Sequence, residues 1–284
     1  MTKRKEKKNK ILMIIIVFLL MFISFILYAY FIGTKGLFVK EYKIDASIPE
    51  SFDGLKIVHL SDIHYNRTFK EKELKKLVEK VNLINPDIIV ITGDVLDNDI
   101  EVPDSKEVLT KYFKEMNATI GKYAVNGNHD LKYDYWVDIM NDSDFKILNN
   151  TYDLIYYEGN DPIIIAGMSS YFDNIKTEEK LNDYNNFINK NDIKYKILLL
   201  HEPDTIDNIN NNFDLILAGH SHNGQVRLPL IGATILPVGS KRYYKEHYTI
   251  NNSELYISSG LGTSTLPLRF LNHPSINFYR INTK

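Results

Sequence analysis

The chain has 284 residues, and its 44% hydrophobic content is enough to bury the core of one substantial domain. Its 34 basic and 36 acidic residues give a formal net charge of −2, which argues against the basic surface that nucleic-acid binding needs. The chain contains no cysteine, which excludes disulfides and thiolate metal sites, so any metal must be held by nitrogen and oxygen ligands.

The N-terminus has the pattern of a membrane anchor. Residues 1–10 carry six basic side chains and one acidic side chain, and residues 11–32 then run without a charge. A helix of that length spans a bilayer. The basic flank predicts a single pass through the cell membrane at residues 11–32, with residues 1–10 cytoplasmic and the remainder extracytoplasmic. Lys35, Lys40 and Lys43 weaken that asymmetry. A cleaved signal peptide is the alternative, but the apolar run is longer than its usual core and no small-x-small cleavage motif follows.

The remainder of the chain has an α/β pattern. A juxtamembrane strand and linker are expected at residues 33–54, and one domain at residues 55–284. Short apolar runs predict strands at residues 55–60, 88–91, 122–125, 197–200 and 213–217, and helical spacing predicts helices at residues 69–83, about 104–116, 133–140 and 176–188. Residues 155–157 and 163–165 predict strands of a second sheet. The C-terminal tail, with short runs at residues 226–228, 256–258 and 276–281, is predicted to add antiparallel strands to that second sheet.

Residues of the types that bind metals follow five of the predicted strands. They are Asp62 and His64, Asp94, Asn128 with His129, His201, and His220 with His222. Ligand sites in α/β proteins gather beyond the carboxyl ends of strands. In extended backbone, side chains two residues apart point the same way, so each Asp-x-His or His-x-His pair is predicted to direct both side chains to one point. Even without His129, the seven other groups exceed what one ion needs, whereas two ions about 3.5 to 4 Å apart that share a carboxylate would use all seven.

These motifs occur in the order of a known family. Asp62-Ile63-His64, Gly93-Asp94, Gly127-Asn128-His129-Asp130, His201 and Gly219-His220-Ser221-His222 together resemble the calcineurin-like metallophosphoesterases. The order and spacing match from about residue 56 to residue 225. The C-terminal Ser259-Gly260-Leu261-Gly262 and Leu268-Arg269-Phe270 resemble the membrane-anchored subgroup, which is similar to UDP-2,3-diacylglucosamine pyrophosphatases. Five motifs in one order make this resemblance specific.

The resemblance implies a fold, a ligand set and a mechanism. The fold is a four-layer αββα sandwich of two mixed sheets, preceded by the transmembrane helix. The two ions are manganese, iron or zinc, which suit mixed carboxylate, amide and imidazole ligands. Asp94 bridges the ions, a hydroxide between them attacks phosphorus in line, and His129 protonates or stabilises the leaving oxygen. The first metal is held by Asp62, His64 and His222, and the second by Asn128, His201 and His220.

Other polar residues have less specific interpretations. Arg227 and Arg269 could grip a phosphate with their guanidinium groups, although a solvated or structural role is equally open for each. His59, within a strand, is predicted to be packed or hydrogen-bonded. Asp130 is predicted to order its loop, with a supporting role toward the metals as the alternative. Asn223 stands where the anchored subgroup often has glycine, a change that could alter contacts beside the phosphate.

The sequence thus predicts a membrane-anchored binuclear phosphohydrolase. Its expected substrates are phosphodiesters or pyrophosphates, and the anchor favours phosphorylated lipids or envelope components over other small molecules. Alternatives are a phosphomonoesterase and a non-catalytic, metal-stabilised binding domain, which would keep its function after Asp94→Asn or His129→Ala. A metallo-β-lactamase-type hydrolase would need a His-x-His-x-Asp-His cluster, which the sequence lacks.

Overall fold

The computed structural model describes residues 2–98, 104–173, 177–191, 193–208 and 213–284. In these ranges the helices are α1 (Thr2–Phe31), α2 (Glu71–Ile84), α3 (Ser105–Lys114), α4 (Tyr135–Asp142) and α5 (Thr177–Asn191). The strands are β1 (Phe38–Ala46), β2 (Leu55–Leu60), β3 (Ile88–Thr92), β4 (Gly121–Val125), β5 (Phe145–Ile147), β6 (Thr151–Ile155), β7 (Ile163–Gly167), β8 (Lys196–Leu199), β9 (Leu215–Ala218), β10 (Arg227–Leu228), β11 (Gly232–Ala233), β12 (His247–Ile250), β13 (Ser253–Ile257) and β14 (Ser275–Thr283).

The predicted helices and site-bearing strands are confirmed to within about three residues at each end. Helix α2, for example, forms because Leu74, Leu77, Val78 and Val81 make a continuous buried stripe at helical spacing. Lys176, the predicted start of α5, lies outside the described residues. The strand predicted at residues 155–157 is wrong in position: β6 covers Thr151–Ile155 and ends where the predicted strand begins. The hairpin register sets this limit, because Ile155 pairs with Ile163, the first residue of β7.

Two mixed sheets form the centre of the domain in the part of the chain that the structure describes. The first has the strand order β1-β14-β2-β3-β4-β5, and the second has the order β12-β13-β9-β8-β7-β6. Strands β2 to β5 are parallel to one another, as are β7, β8 and β9. The carboxyl ends of these strands therefore gather along one edge of each sheet.

The C-terminal tail does not follow the prediction that it extends the second sheet with antiparallel strands. Only β12 pairs in that way, with β13, whereas β13 lies parallel to β9. Strand β14 instead enters the first sheet, parallel to β1 and antiparallel to β2. The reason is burial: most of β14 is buried, so it needs a hydrogen-bonding partner on each side.

Alternating side chains divide the core into layers. Ile57 and Val90 of the first sheet pack against Ile197 and Leu217 of the second. The alternate side chains of β2 and β3 face the opposite way and pack against helices α2, α3 and α4. The outer face of the second sheet packs on α5 through residues such as Ile188. The domain is thus the expected αββα sandwich.

Helix α1 stands apart from this core along most of its length. Within the described residues it is the one helix long and apolar enough to cross a membrane. Large apolar side chains from Ile11 to Ile23 are exposed around it. Its last two turns contact the domain: the rings of Phe25 and Tyr28 lie 4.8 and 5.6 Å from that of Phe270. The apolar stretch therefore continues directly into a packed junction.

Candidate metal centre

All seven predicted ligands follow the carboxyl ends of the central strands. Asp62 and His64 follow β2, Asp94 follows β3, and Asn128 follows β4 in the first sheet, whereas His201 follows β8 and the last two histidines follow β9 in the second. Asp62, His64, Asp94, His201, His220 and His222 are all buried, and Asn128 is half-buried. The seam between the two sheets thus brings together residues that are up to 160 positions apart.

The backbone at these positions differs from the extended form that the two-residue spacing predicted. Asp62, His64, Asp94, His220 and His222 all have positive φ, between 42° and 65°. At each of these positions the backbone turns through the left-handed region soon after a strand ends. This conformation costs about 1 to 3 kcal/mol per residue and is concentrated at functional sites. As a result His220 and His222 do not point to one place: each belongs to a different ligand group.

The first group consists of Asp62, His64 and His222. The Nε2 atoms of His64 and His222 are 3.1 Å apart, and His222 Nε2 lies 3.5 Å from Asp62 Oδ1. At metal–nitrogen distances of about 2.0 to 2.1 Å, two ligand atoms of one ion lie about 2.9 Å apart at a right angle and about 3.4 Å apart at the tetrahedral angle. The three side chains therefore have the separation of ligands to a common cation.

The second group consists of Asp94, His201 and His220. His201 Nε2 lies 3.2 Å from Asp94 Oδ2 and 3.2 Å from His220 Nδ1. The far nitrogen of each ring is 2.7 Å from a backbone carbonyl, Thr92 for His201 and Val238 for His220. A carbonyl accepts only from an N–H, so each ring directs its other nitrogen into the site.

Asp94 lies between the two groups. Its Oδ2 is 3.2 Å from His201 Nε2 on one side and 3.5 Å from His64 Nε2 on the other. Its Oδ1 accepts a hydrogen bond from the backbone N–H of His129 at 2.9 Å, which fixes the carboxylate plane. One carboxylate oxygen thus faces ligands of both groups.

Three of the predicted ligands have buried polar atoms without a hydrogen-bond partner. These atoms are Asp62 Oδ2, His64 Nδ1 and Asn128 Oδ1. Leaving such a group unsatisfied costs about 1 to 3 kcal/mol. The oxygens of Asp62 and Asn128 are of the type that coordinates divalent cations, so the donor set fits a metal centre of nitrogen and oxygen ligands.

The protein groups at the site strongly perturb one another's pKa values. Burial alone would raise the pKa of Asp94, but His201, His64 and His129 hold it well below its usual range. Burial would lower the pKa of His201, but Asp94 and Glu202 raise it well above the usual value. Burial lowers the pKa of His64 to about 3. The carboxylate of Asp94 therefore stays negatively charged, and the imidazole of His64 stays neutral. A cation bound at Asp94 would displace the proton of His201.

His129 sits at the edge of the site rather than within either group. Its side chain is 13% exposed and lines the cavity. Its Nδ1 accepts a hydrogen bond from the backbone N–H of Asn98 at 3.2 Å, so the neutral ring carries its proton on Nε2. Burial lowers the pKa of His129, but the carboxylates of Asp97 and Asp94 outweigh burial and raise it. The ring can therefore carry a transferable proton.

Asp97 is a site residue that the sequence reasoning missed. It is buried, it forms an ion pair with Arg67, and its carboxylate lies 3.7 Å from His129 Nδ1 and 3.9 Å from His64 Nδ1. At these distances the carboxylate acts on both rings through its negative charge rather than through a hydrogen bond. The available signal was an acidic residue three positions after Asp94, in the loop that follows the apolar strand β3.

Two glycines of the motifs allow the loops to approach closely. A Cβ on Gly127 would overlap Asp94 Oδ1, and one on Gly219 would overlap Ser61 Oγ. The predicted role of Asp130 is confirmed: its carboxylate accepts the backbone N–H groups of Leu96 and Gly127, both at 2.9 Å. Gly127 and Asp130 thus allow the loops after β3 and β4 to pack together, and Gly219 does the same for the loops after β2 and β9.

The two arginines considered for phosphate binding do not reach the cavity. Arg269 is fully buried, and its guanidinium donates to the carbonyls of Gly262 and Asn272. Arg227 is half-buried and donates to Asn223 Oδ1 at 2.9 Å. These contacts support the structural alternative for both arginines. A guanidinium that is removed from water needs hydrogen-bond acceptors, and the donors that bond these acceptors are not directed at a phosphate in the cavity. Asn223 itself has φ 50°, and asparagine tolerates this left-handed conformation almost as glycine does.

A cavity of about 480 Å³ opens over the two groups. Gln225, also missed from the sequence, supports one wall: its side chain donates to the carbonyls of Ser264 and Leu266 and accepts from the N–H of Ser264. Apolar residues make up most of the remaining wall. They are Phe25, Val226, Ile235, Pro237, Leu266 and Leu268. The ligands thus lie at the base of a pocket that is polar below and apolar above.

His59 is confirmed as a hydrogen-bonded core residue. It is fully buried, and its Nε2 lies 2.7 Å from Thr92 Oγ1. Its burial lowers its pKa to about 3, so the ring is neutral. It therefore supports the end of β3 from inside the core and stays outside the site.

Comparisons with known proteins find similar sequences along most of this chain. The sequence model of a family described as calcineurin-like phosphoesterase matches residues 55–224. The metallophosphoesterase YkuE of Bacillus subtilis is 32% identical over 265 residues, which cover 90% of this chain and 89% of YkuE. A transmembrane protein with metallophosphoesterase domain from Danio rerio is 28% identical, with 81% of this chain and 53% of the relative covered. The UDP-2,3-diacylglucosamine pyrophosphatase LpxG of Chlamydia muridarum is 25% identical, with 67% and 71% covered.

Proposed function

The chain belongs to the calcineurin-like phosphoesterase family of metal-dependent hydrolases that act on phosphoester bonds, and from this premise we propose its finer function. It is a membrane-anchored phosphohydrolase that uses two divalent ions to cleave phosphodiester or pyrophosphate bonds. Its substrates are lipid-linked or envelope components. The second candidate, phosphomonoester hydrolysis, uses the same ligands.

The position of Asp94 carries this proposal. Its Oδ2 lies within 3.5 Å of a ligand nitrogen of each group, so a single carboxylate oxygen can serve both ions. Two-metal phosphoesterases hold their ions about 3.5 to 4 Å apart by such sharing. Asp62, His64 and His222 would hold one ion, and Asn128, His201 and His220 the other.

The protein residues have separate tasks. When bound, the two cations supply a low-pKa water as nucleophile and neutralise charge on the phosphate. His129 directs its Nε2 proton toward the leaving oxygen from the edge of the cavity. The carboxylate of Asp97 raises the pKa of the His129 imidazole, and the main-chain N–H of His129 holds the carboxylate of Asp94 in place. The apolar wall reduces access of bulk water to the phosphate.

Helix α1 and the apolar wall favour a membrane-bound substrate. The end of α1 packs on the domain beside the cavity: Phe25 contacts Phe270 of the domain and also lines the cavity. Similarity to the Chlamydia muridarum pyrophosphatase LpxG, whose name specifies a diacylated nucleotide sugar, supports the same substrate class. A cavity with a polar base and apolar upper wall suits a phosphate group attached to acyl chains.

A substrate panel tests this function. We expect full-length protein loaded with Mn²⁺ to hydrolyse bis-p-nitrophenyl phosphate and a lipid pyrophosphate, and to lose this activity when EDTA removes the metal. Readdition of Mn²⁺ should restore it, because the ligands come from strand ends of a folded core. The measurement is release of p-nitrophenolate or of lipid monophosphate.

Other outcomes of the panel identify the alternatives. Turnover of p-nitrophenyl phosphate alone would establish the phosphomonoesterase. Absence of turnover on all three substrates, with the metals bound, would contradict the proposal and favour the non-catalytic binding domain. Heat-treated protein with the same metal content controls for hydrolysis by free Mn²⁺.

A further inference from the structure

A loop beside the cavity is unusually apolar and exposed. Residues 228–240 contain no charged side chain, and cationic residues border them: Arg227 before, and Lys241 and Arg242 after. Strands β10 and β11 form a small hairpin in this segment. Leu230 and Ile231 at its tip are 108% and 73% exposed. Two large aliphatic side chains at a hairpin tip cost free energy in water, about 25 cal/mol per Å² of apolar surface.

Exposed apolar side chains also lie farther along this segment and at the mouth of the cavity. Ile235, Val238 and Leu266 are 71%, 64% and 46% exposed, and Ile235 and Leu266 also line the cavity with Phe25. We call Leu230, Ile231, Ile235, Val238 and Leu266 the apolar rim. Clustered exposed apolar side chains with a cationic border are typical of surfaces that contact lipid.

The rim is connected to helix α1 at the junction with the domain. Val226, at the base of the hairpin, pairs with Phe270, and the backbone N–H of the neighbouring Arg269 donates to the carbonyl of Ala29 at 3.0 Å. Ala29 is fully buried in this contact. The depth of α1 in a membrane therefore sets the depth of the rim.

The length of the apolar run places that junction inside the bilayer. Phe25 lies seven residues before the end of the run at residue 32, which is about 10 Å along a helix. If the bilayer ended before Phe25, residues 11–24 would cover only about 21 Å, whereas the hydrocarbon core is about 30 Å thick. Side chains that contact Phe25 thus lie at the depth of the outer acyl carbons of the hydrocarbon core.

We propose that the apolar rim inserts into the same bilayer that holds α1, and that the cavity opens into the membrane interface. The exposed Lys241 and Arg242 at the end of the loop would then lie near anionic headgroups. This inference rests on the membrane anchor of the proposed function and names the second contact with the bilayer. A substrate would enter the cavity from the leaflet without leaving the lipid phase.

Single-cysteine labelling tests the insertion, because the chain has no cysteine of its own. Full-length Leu230→Cys and Ile231→Cys variants carry the environment-sensitive dye NBD and are reconstituted into vesicles of phosphatidylcholine and phosphatidylglycerol. We expect NBD emission at both positions to shift to the blue and to be quenched by nitroxide-labelled lipid. A Leu83→Cys variant is the matched control: Leu83 is 86% exposed on α2, just before the amino end of β3 and opposite the site.

The outcomes separate the rim from the anchor and from catalysis. In one outcome, the protein floats with the vesicles while aqueous iodide quenches NBD at residue 230 as strongly as NBD at residue 83. That result would overturn the insertion of the rim but not the anchor. Failure of the Leu83→Cys protein to float would overturn the anchor and the insertion together. Neither result depends on turnover, and circular dichroism of the labelled proteins verifies that they are folded.

Discussion

Asp94→Asn is expected to lower kcat on bis-p-nitrophenyl phosphate by at least about 10²- to 10³-fold, the effect of removing one preorganised electrostatic contact in an active site. The replaced oxygen faces His64 Nε2 and His201 Nε2 at 3.5 and 3.2 Å, so one substitution weakens both ligand groups. An amide has nearly the same size but no charge, and it can bridge two cations only weakly. The metal content, measured by mass spectrometry, should fall below that of the natural chain.

The control for this variant is Asp138→Asn. Asp138 lies on α4, its side chain is 55% exposed, and its ion pair with Lys106 is at the surface, where such pairs contribute about 0 to 1 kcal/mol. We expect this variant to keep its activity and metal content. Full activity in the Asp94→Asn protein, or loss of activity with both metals still bound at natural occupancy, would contradict the bridging role.

His129→Ala is expected to lower kcat by about 10²- to 10⁴-fold for a substrate with an alkoxide leaving group, the usual contribution of a general acid. The loss should be much smaller for bis-p-nitrophenyl phosphate, because p-nitrophenolate leaves without needing a proton. The ratio of the two losses, measured by steady-state kinetics, tests the role of the Nε2 proton. The metal content should remain that of the natural chain.

Metal content also decides between two roles for His129. Its ring nitrogen lies within 4.8 Å of ligand atoms of His64 and Asp94, which is close enough for a third metal-binding group. Loss of metal together with equal loss of activity on both substrates would make His129 a ligand and refute its role as an acid. His247→Ala is the matched control, since His247 is exposed, pairs with Glu254 and does not line the cavity.

The sequence predicted the identity of the clustered residues well because strand-end chemistry is local. A short apolar run followed by Asp, Asn or His places that residue at a strand end, and the parallel topology of β2, β3 and β4 then brings Asp62, Asp94 and Asn128 together. The directions of the side chains of His220 and His222 were predicted wrongly. Left-handed backbone at His220 and His222 sends the two rings to different groups, and residue spacing holds no information on φ.

Features that depend on tertiary context were predicted less well. Strand β14 has the same local pattern whichever sheet it joins, and only the unpaired edge of β2 explains its position. Arg269 looks like a phosphate ligand in sequence, but the carbonyls of Gly262 and Asn272 bind its guanidinium in the interior. The contact of α1 with Phe270 joins residues about 245 positions apart, and such packing leaves no local signal.

Anomalous X-ray scattering from crystals of the Mn²⁺-loaded protein tests the pairing of two cations most directly. The proposal predicts two manganese peaks about 3.5 to 4 Å apart, one beside Asp62, His64 and His222 and the other beside Asn128, His201 and His220, with Asp94 between them. A single peak, or peaks away from Asp94, would contradict a binuclear centre at this site.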